Sequence, residues 1–206
     1  MNNQQQPFQN EQQSNQIPAQ QNHGGHALLD ADEAIGVIMS GIEQYNIFGE
    51  HIQDQELSAI NERQKSFLSQ VYNTFIETMK TGQDPTTPTH TYMMDMPTNV
   101  TYGLQQSAPK SPLQSSTELN DECISTYMMN ALKAMASNFT LAALEATNPV
   151  LRRVIADSIP NIIEMGYELF LYQNKNQYYQ VPQLNAQDMS IIQNGYAPIQ
   201  GIQGTH

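Results

Sequence analysis

The chain has 206 residues, with 20 Asp or Glu against 8 Lys or Arg, for a net charge of −12. That length suits one domain with tails, and the acidic balance disfavours nucleic acid or an anionic membrane surface as partner, because neither would find a basic patch. No window holds the ~18 consecutive apolar residues of a membrane helix, the opening Met1-Asn2-Asn3-Gln4 does not resemble a secretory signal, and Cys123, the single cysteine, excludes an intramolecular disulfide.

Gln and Asn fill 14 of the first 22 positions. Such a stretch buries too little apolar area to offset its ordering entropy, so residues 1–25 are expected to be a disordered tail closed by Gly24-Gly25. A bundle is expected over 26–180. Its first helix spans 28–49, where Leu28, Ile35, Ile38, Ile42, Tyr45 and Ile52 recur at three- and four-residue steps. Gly36 and Gly41 lie inside it; each is a point of close helix approach, a hinge, or a tolerated defect costing about 1 kcal/mol relative to Ala.

The second helix spans 54–80, with Leu57, Ile60, Phe67, Val71, Phe75 and Met79 on one face and Gly82 placed to cap its end. The link between the two is short, so they should form an antiparallel hairpin. Residues 83–116 carry Pro85, Pro88, Pro97, Pro109 and Pro112, a density that forbids continuous helix. A loop this long is uncommon in a compact domain. It is read as a crossover along the bundle, pinned by Tyr92, Met93, Met94, Met96 and Tyr102.

The third helix spans 118–146, opened by a capping-box pattern, Ser115-x-x-Glu118. Its expected inner face is Leu119, Cys123, Met128, Leu132, Met135, Phe139 and Ala142, which makes Cys123 a buried core thiol. Thr147-Asn148-Pro149 ends it and starts the fourth helix, 149–174, with Asn148 as cap and Pro149 in the first turn. Leu151, Val154, Ile155, Ile162, Met165, Leu169 and Tyr172 point inward, and Pro160 should kink the helix. Residues 181–206 read as an extended tail. Two hairpins joined by a long crossover describe a ferritin-like four-helix bundle.

A metal centre in such a bundle needs inward carboxylates and Glu-x-x-His on two of the helices. No Glu-x-x-His occurs here. Glu43, Glu62, Glu122, Glu145, Glu164 and Glu168 are therefore read as solvated carboxylates, and no metal or cofactor is expected. Cys123 has no neighbouring histidine, there is no Gly-rich phosphate loop, and Arg152-Arg153 should pair with Glu145 or another surface acid. No catalytic residue emerges. Tyr167, Tyr172, Tyr178 and Tyr179 cluster near the end of the fourth helix, where their amphipathic rings suit either core packing or an interface.

Glu145-Ala146-Thr147-Asn148-Pro149-Val150-Leu151-Arg152, then Tyr167-Glu168-Leu169-Phe170 and Tyr178-Tyr179-Gln180-Val181-Pro182, resemble the Coat F family of spore coat proteins from endospore-forming bacteria. Leu28-Leu29-Asp30, Ile52-Gln53-Asp54-Gln55-Glu56-Leu57 and Lys80-Thr81-Gly82-Gln83 extend the resemblance over roughly residues 26–182. It implies a ferritin-like bundle located in the spore coat or the layers beneath it, and no enzyme activity. Many members of that family carry a histidine in the middle of the last helix; this chain reads Glu164-Met165-Gly166-Tyr167 there. The expected function is a non-enzymatic structural component of the spore coat whose partners are itself or other coat proteins. The Gln- and Tyr-rich tails are chemically suited to isopeptide and dityrosine crosslinks. A ferritin-like metal or redox protein and a soluble helical adaptor are the alternative readings.

Overall fold

The computed structural model describes residues 17–199. Most of the Gln/Asn-rich start, and the last seven residues of the C-terminal tail, lie outside the described residues. Four long helices, α1 (Gly25–Gly49), α2 (Gln55–Thr81), α3 (Asp121–Glu145) and α4 (Pro149–Lys175), are followed by a short one, α5 (Ala186–Gln193). Among the described residues there is no strand, only an isolated parallel bridge between Tyr102 and Val181. The protein is all-helical.

Each long helix packs on two neighbours: α1 on α2 and α3, and α4 on α2 and α3. Contacts at the ends give the directions. The start of α1 meets the end of α3 where Gly24 N–H donates to Thr147 Oγ1 at 2.7 Å. The other end of α1 meets the start of α3, where Asp121 accepts from the backbone of Gln53 at 2.9 Å and of Asp54 at 3.1 Å. The end of α2 meets the start of α4, where Asn148 Nδ2 donates to the Gly82 carbonyl at 3.1 Å, and its start meets the end of α4, where Tyr172 donates to Asp54 at 3.0 Å. All neighbouring pairs are thus antiparallel, and α2 and α3 run in the same direction. The segment joining them must travel the length of the molecule.

It does so along α4. Tyr92 N–H donates to Asn161 Oδ1 at 2.8 Å, Asp95 N–H to Glu168 Oε1 at 3.2 Å, and Thr101 N–H to Asn174 Oδ1 at 2.7 Å. Tyr92 is buried, and Met94 and Met96 pack against the core, whereas Met93 and Tyr102 face outward.

The apolar stripes of α2 and α4 fill the core as their periodicity dictates. The inner face of α1 is smaller than expected: Ala27, Ala31, Ala34 and Gly41 join Ile35, Ile38 and Tyr45, while Leu28 is exposed. Gly41 is a point of close approach, since a Cβ there would lie 2.5 Å from Met135 Cε; Gly36 has open space around it.

Further sequence expectations are corrected. Residues 19–21 form a 3-10 turn against α2, so the tail is ordered before residue 25. A Cβ on Gly82, which caps α2 at φ 65°, would lie 1.9 Å from the Ala19 carbonyl oxygen. Ser115 and Glu118 organise a 3-10 turn over Ser116–Glu118, and α3 is instead capped by Asn120, which accepts from Cys123 N–H at 3.0 Å. Steps of four and three back from Met128 reach Ile124 and Ser125, which take the inward positions, and Cys123, one residue off that stripe, is only half-buried. The tail is not wholly extended, because α5 interrupts it. Arg152 and Arg153 are both exposed, and Glu145 faces His26 at 3.8 Å instead of either arginine. α4 continues through Pro160, whose ring is on the exposed side.

Asn148 is nearly inaccessible and serves both halves at once: Oδ1 accepts from Val150 and Leu151 N–H at 3.0 and 2.9 Å, and Nδ2 satisfies Gly82. Asn148→Ala removes a cap and strands a carbonyl, so we expect a loss of about 2–4 kcal/mol in urea unfolding. Asn148→Asp keeps the cap acceptor and should fall between the two.

Candidate functional site

The most unusual chemistry lies in the core. Glu168 on α4 is fully buried. Its Oε1 accepts from Arg63 Nη2 at 2.7 Å, Arg63 Nε at 3.2 Å and Asp95 N–H at 3.2 Å. Its Oε2 accepts from Gln64 Nε2 at 2.9 Å and from the Tyr92 hydroxyl. Gln64 also donates to the Met165 carbonyl at 3.0 Å, and its Oε1 accepts from the Tyr45 hydroxyl at 2.6 Å. One carboxylate therefore gathers α1, through Tyr45 and Gln64, together with α2, the crossover and α4.

A buried carboxylate is tolerated only when it is paired and its lone pairs are filled. Here both conditions hold. The reading of Glu168 as a solvated surface acid is thus corrected: the Glu-x-x-His test asks about metal ligands and is blind to a carboxylate paired with arginine. The position of Glu168 between Met165 and Leu169 on an inward stripe, with Arg63-Gln64 as adjacent polar residues on α2, was the available signal.

The charge distribution acts on the neighbouring hydroxyls. Burial, then the bond to Glu168, pushes the Tyr92 hydroxyl well above its ordinary value of 10.0. Burial also raises Tyr45, with the nearby Tyr92 and Glu168 adding to it. For Arg63 burial works downward, but the bonds and charge of Glu168 outweigh it and the guanidinium is held still more firmly protonated. The centre is therefore a closed donor–acceptor set, with the guanidinium supplying the positive charge beside the carboxylate. It offers no free nucleophile or general base.

The four tyrosines singled out in the sequence do not form one group. Tyr172 is fully buried, donates to Asp54 and has its hydroxyl raised by burial and that bond. Tyr178 is half-buried against the core, with its ring centroid 6.1 Å from that of Tyr172. Tyr167 and Tyr179 lie on the other side, flanking Phe170 at centroid distances of 5.8 and 5.5 Å. These three rings line a surface groove of about 380 Å³ between α3 and α4, walled also by Met129, Ala136 and Ile163. Periodicity placed Tyr172 inward but could not place Tyr178 and Tyr179, because Gln177 at φ 61° turns the chain after α4 and the two rings fall on opposite sides.

Among the described residues, His26, Asp30 and Glu145 have donor atoms within 4.8 Å of one another, close enough to hold a metal ion. His26 Nδ1 lies 3.0 Å from Asp30 and 3.8 Å from Glu145, and His26 and Glu145 are exposed. The cluster lies where the start of α1 meets the end of α3. No helix among the described residues is long and apolar enough to cross a membrane.

An all-helical scaffold with a closed polar centre and an apolar groove on its flank is the class of protein these features define. Comparison with known proteins gives the family. Residues 120–182 match the Coat F domain. Over 178 residues the chain is 45% identical to the spore coat protein F-like protein YhcQ of Bacillus subtilis (strain 168), covering 86% of this chain and 82% of that protein. The chain belongs to the Coat F family of spore coat proteins. No solved structure matches it.

Two measurements check the centre. Arg63→Ala leaves Glu168 buried without its cation and should cost about 3–5 kcal/mol in chemical unfolding. A group whose pKa is raised on folding contributes stability that is present below its unfolded value and is lost as pH rises. Stability should therefore hold up to about pH 10, the ordinary tyrosine value, and fall above it as Tyr45, Tyr92 and Tyr172 ionise more readily in the unfolded chain. Tyr92→Phe, followed by urea unfolding between pH 9 and pH 11, should flatten that fall.

Proposed function

We propose that the protein is a structural component of the bacterial endospore coat, made in the cytoplasm of the sporulating cell and acting through self-association and contacts with other coat proteins. The observation that carries this reading is the likeness to a spore coat protein over 86% of the chain, well beyond the family domain at residues 120–182. The interior is consistent with it. In a ferritin-like arrangement, which the all-antiparallel neighbours and the lengthwise crossover favour, the bundle axis is where a metal centre would be built. Here that space holds Glu168 bonded to Arg63, Gln64 and Tyr92, and these contacts use the donor–acceptor capacity that ligation would require.

Function then falls to the surface. Tyr167 and Tyr179, flanking the α3–α4 groove, are the interface residues of this reading, and Tyr179, half exposed, is the one best placed for crosslinking. Tyr172, with its hydroxyl on Asp54, is structural. A fluorescent fusion should encircle the developing spore during sporulation and remain on the released spore. A signal that stays diffuse in the cell overturns the reading. Stoichiometric iron or manganese in the purified protein would replace it with the metal-protein alternative.

A further inference from the structure

α5 is a helix without a core. Asn185 caps it, accepting from Asp188 N–H at 2.9 Å, yet none of its eight residues is buried. An isolated helix so short is marginal in water, and what normally stabilises a helix is the burial of one apolar face. Of its larger apolar residues, Met189 is half-buried, but Ile191 and Ile192 are 64% and 58% exposed.

The α3–α4 groove is its counterpart. Its floor contains Gly166, which leaves room where another residue would place a side chain, and Ile163 on its wall is 61% exposed. The one charged side chain lining it is Lys133, and the one charged residue of α5 is Asp188. In a chain with only 8 Lys and Arg, a cation on an otherwise apolar surface matches a helix that sets one acid beside exposed isoleucines.

The tail does not lead back into its own groove. After Tyr179 it is drawn onto the crossover, where Gly103 N–H donates to the Val181 carbonyl at 2.8 Å and Gln105 N–H to Gln180 Oε1. Pro182 then restricts the preceding backbone to extended conformations. The tail is thus directed outward beside the crossover, with its helix free to meet another molecule.

We propose that α5 of one copy docks in the α3–α4 groove of a second, with Met189, Ile191 and Ile192 on the Tyr167–Phe170–Tyr179 wall and Asp188 against Lys133. This rests on the reading of the chain as a self-associating scaffold and gives that scaffold its joint. The two surfaces differ, so the contact is head-to-tail. Each copy retains a free groove at one end and a free helix at the other, and assembly propagates unless the rotation closes a ring.

The experiment is sedimentation velocity of the full chain over a range of concentrations, with one variant on each surface. Ile192→Asp disables the helix. Gly166→Leu fills the groove, and its Cβ meets nothing nearer than Met129 Sδ at 3.9 Å, so the fold should survive, as circular dichroism would check. Each variant alone should associate at least about tenfold more weakly than the parent, the loss expected for one buried aliphatic side chain. An equal mixture should form a complex of two chains that stops there, since one partner supplies the only working helix and the other the only working groove. Lys133→Asp and Asp188→Lys should each weaken assembly, and the doubly exchanged chain should regain it.

Assembly of the parent that neither variant reduces overturns the tail-in-groove joint while leaving self-association in place. A parent that stays monomeric, with Ile192→Asp lowering its melting temperature, overturns the joint in favour of a helix folded on its own groove. Failure of the spore-coat reading is seen separately, in the location of the fusion.

Discussion

A carboxylate cannot remain ionised in a protein interior unless other groups replace the water it has lost. Glu168 is placed at that extreme, and the groups that replace its water come from separate parts of the chain. Arg63 and Gln64 stand on neighbouring positions of α2, Tyr92 and Asp95 on the crossover, and Tyr45 reaches the set through Gln64. Apolar packing alone would let four amphipathic helices slide and rotate against one another at little cost, because a methyl group meets many others equally well. The directed bonds at Glu168 permit one register. They also explain how a proline-rich segment without secondary structure of its own is held in a defined path: its backbone donates to Asn161, Glu168 and Asn174 in turn, each presented by α4.

The same centre determines the chemistry of the interior. In helical bundles of this plan the axis is where inward carboxylates meet cations, and a guanidinium satisfies a carboxylate with fixed, planar geometry that a metal ion does not share. With Arg63 seated on Glu168 the interior becomes a fastening. The buried tyrosines follow the same logic. Their hydroxyls donate to Gln64, Glu168 and Asp54 and resist ionisation, so they serve as donors and not as reactive phenols.

How much of this the sequence made legible depended on whether a signal was local. The Asn148-Pro149 start of α4, the Gly82 end of α2 and the stripes of α2 and α4 are local, and each was readable because capping and periodicity act within one or two turns. The start of α3 was misplaced because two capping signals compete within six residues: Ser115 organises only a 3-10 turn, and Asn120 starts the helix. Cys123 was misjudged separately, because its five-residue step to Met128 was accepted where the four-residue step from Ile124 holds the stripe. Glu168 was missed for a different reason. Its partners lie 105, 104 and 76 residues away, and no spacing rule along a chain reports such a meeting. α5 was missed because Gly and Pro around it argue for an extended tail, while its Asn185 cap is a weak signal on its own.

A rigid interior and an unpartnered helix are complementary properties in a scaffold. A joint transmits geometry from one unit to the next only if the groove it enters is fixed, and the α3–α4 groove is fixed from behind. The residues flanking Tyr167 and Phe170 on α4 are Glu168 and Leu169, one bound into the polar centre and the other fully buried. The groove wall is therefore the outer face of the turn of helix whose inner face is bonded to α2 and the crossover. Loosening the Glu168 centre would loosen that wall, so the interaction that determines the fold also determines the surface through which copies would meet.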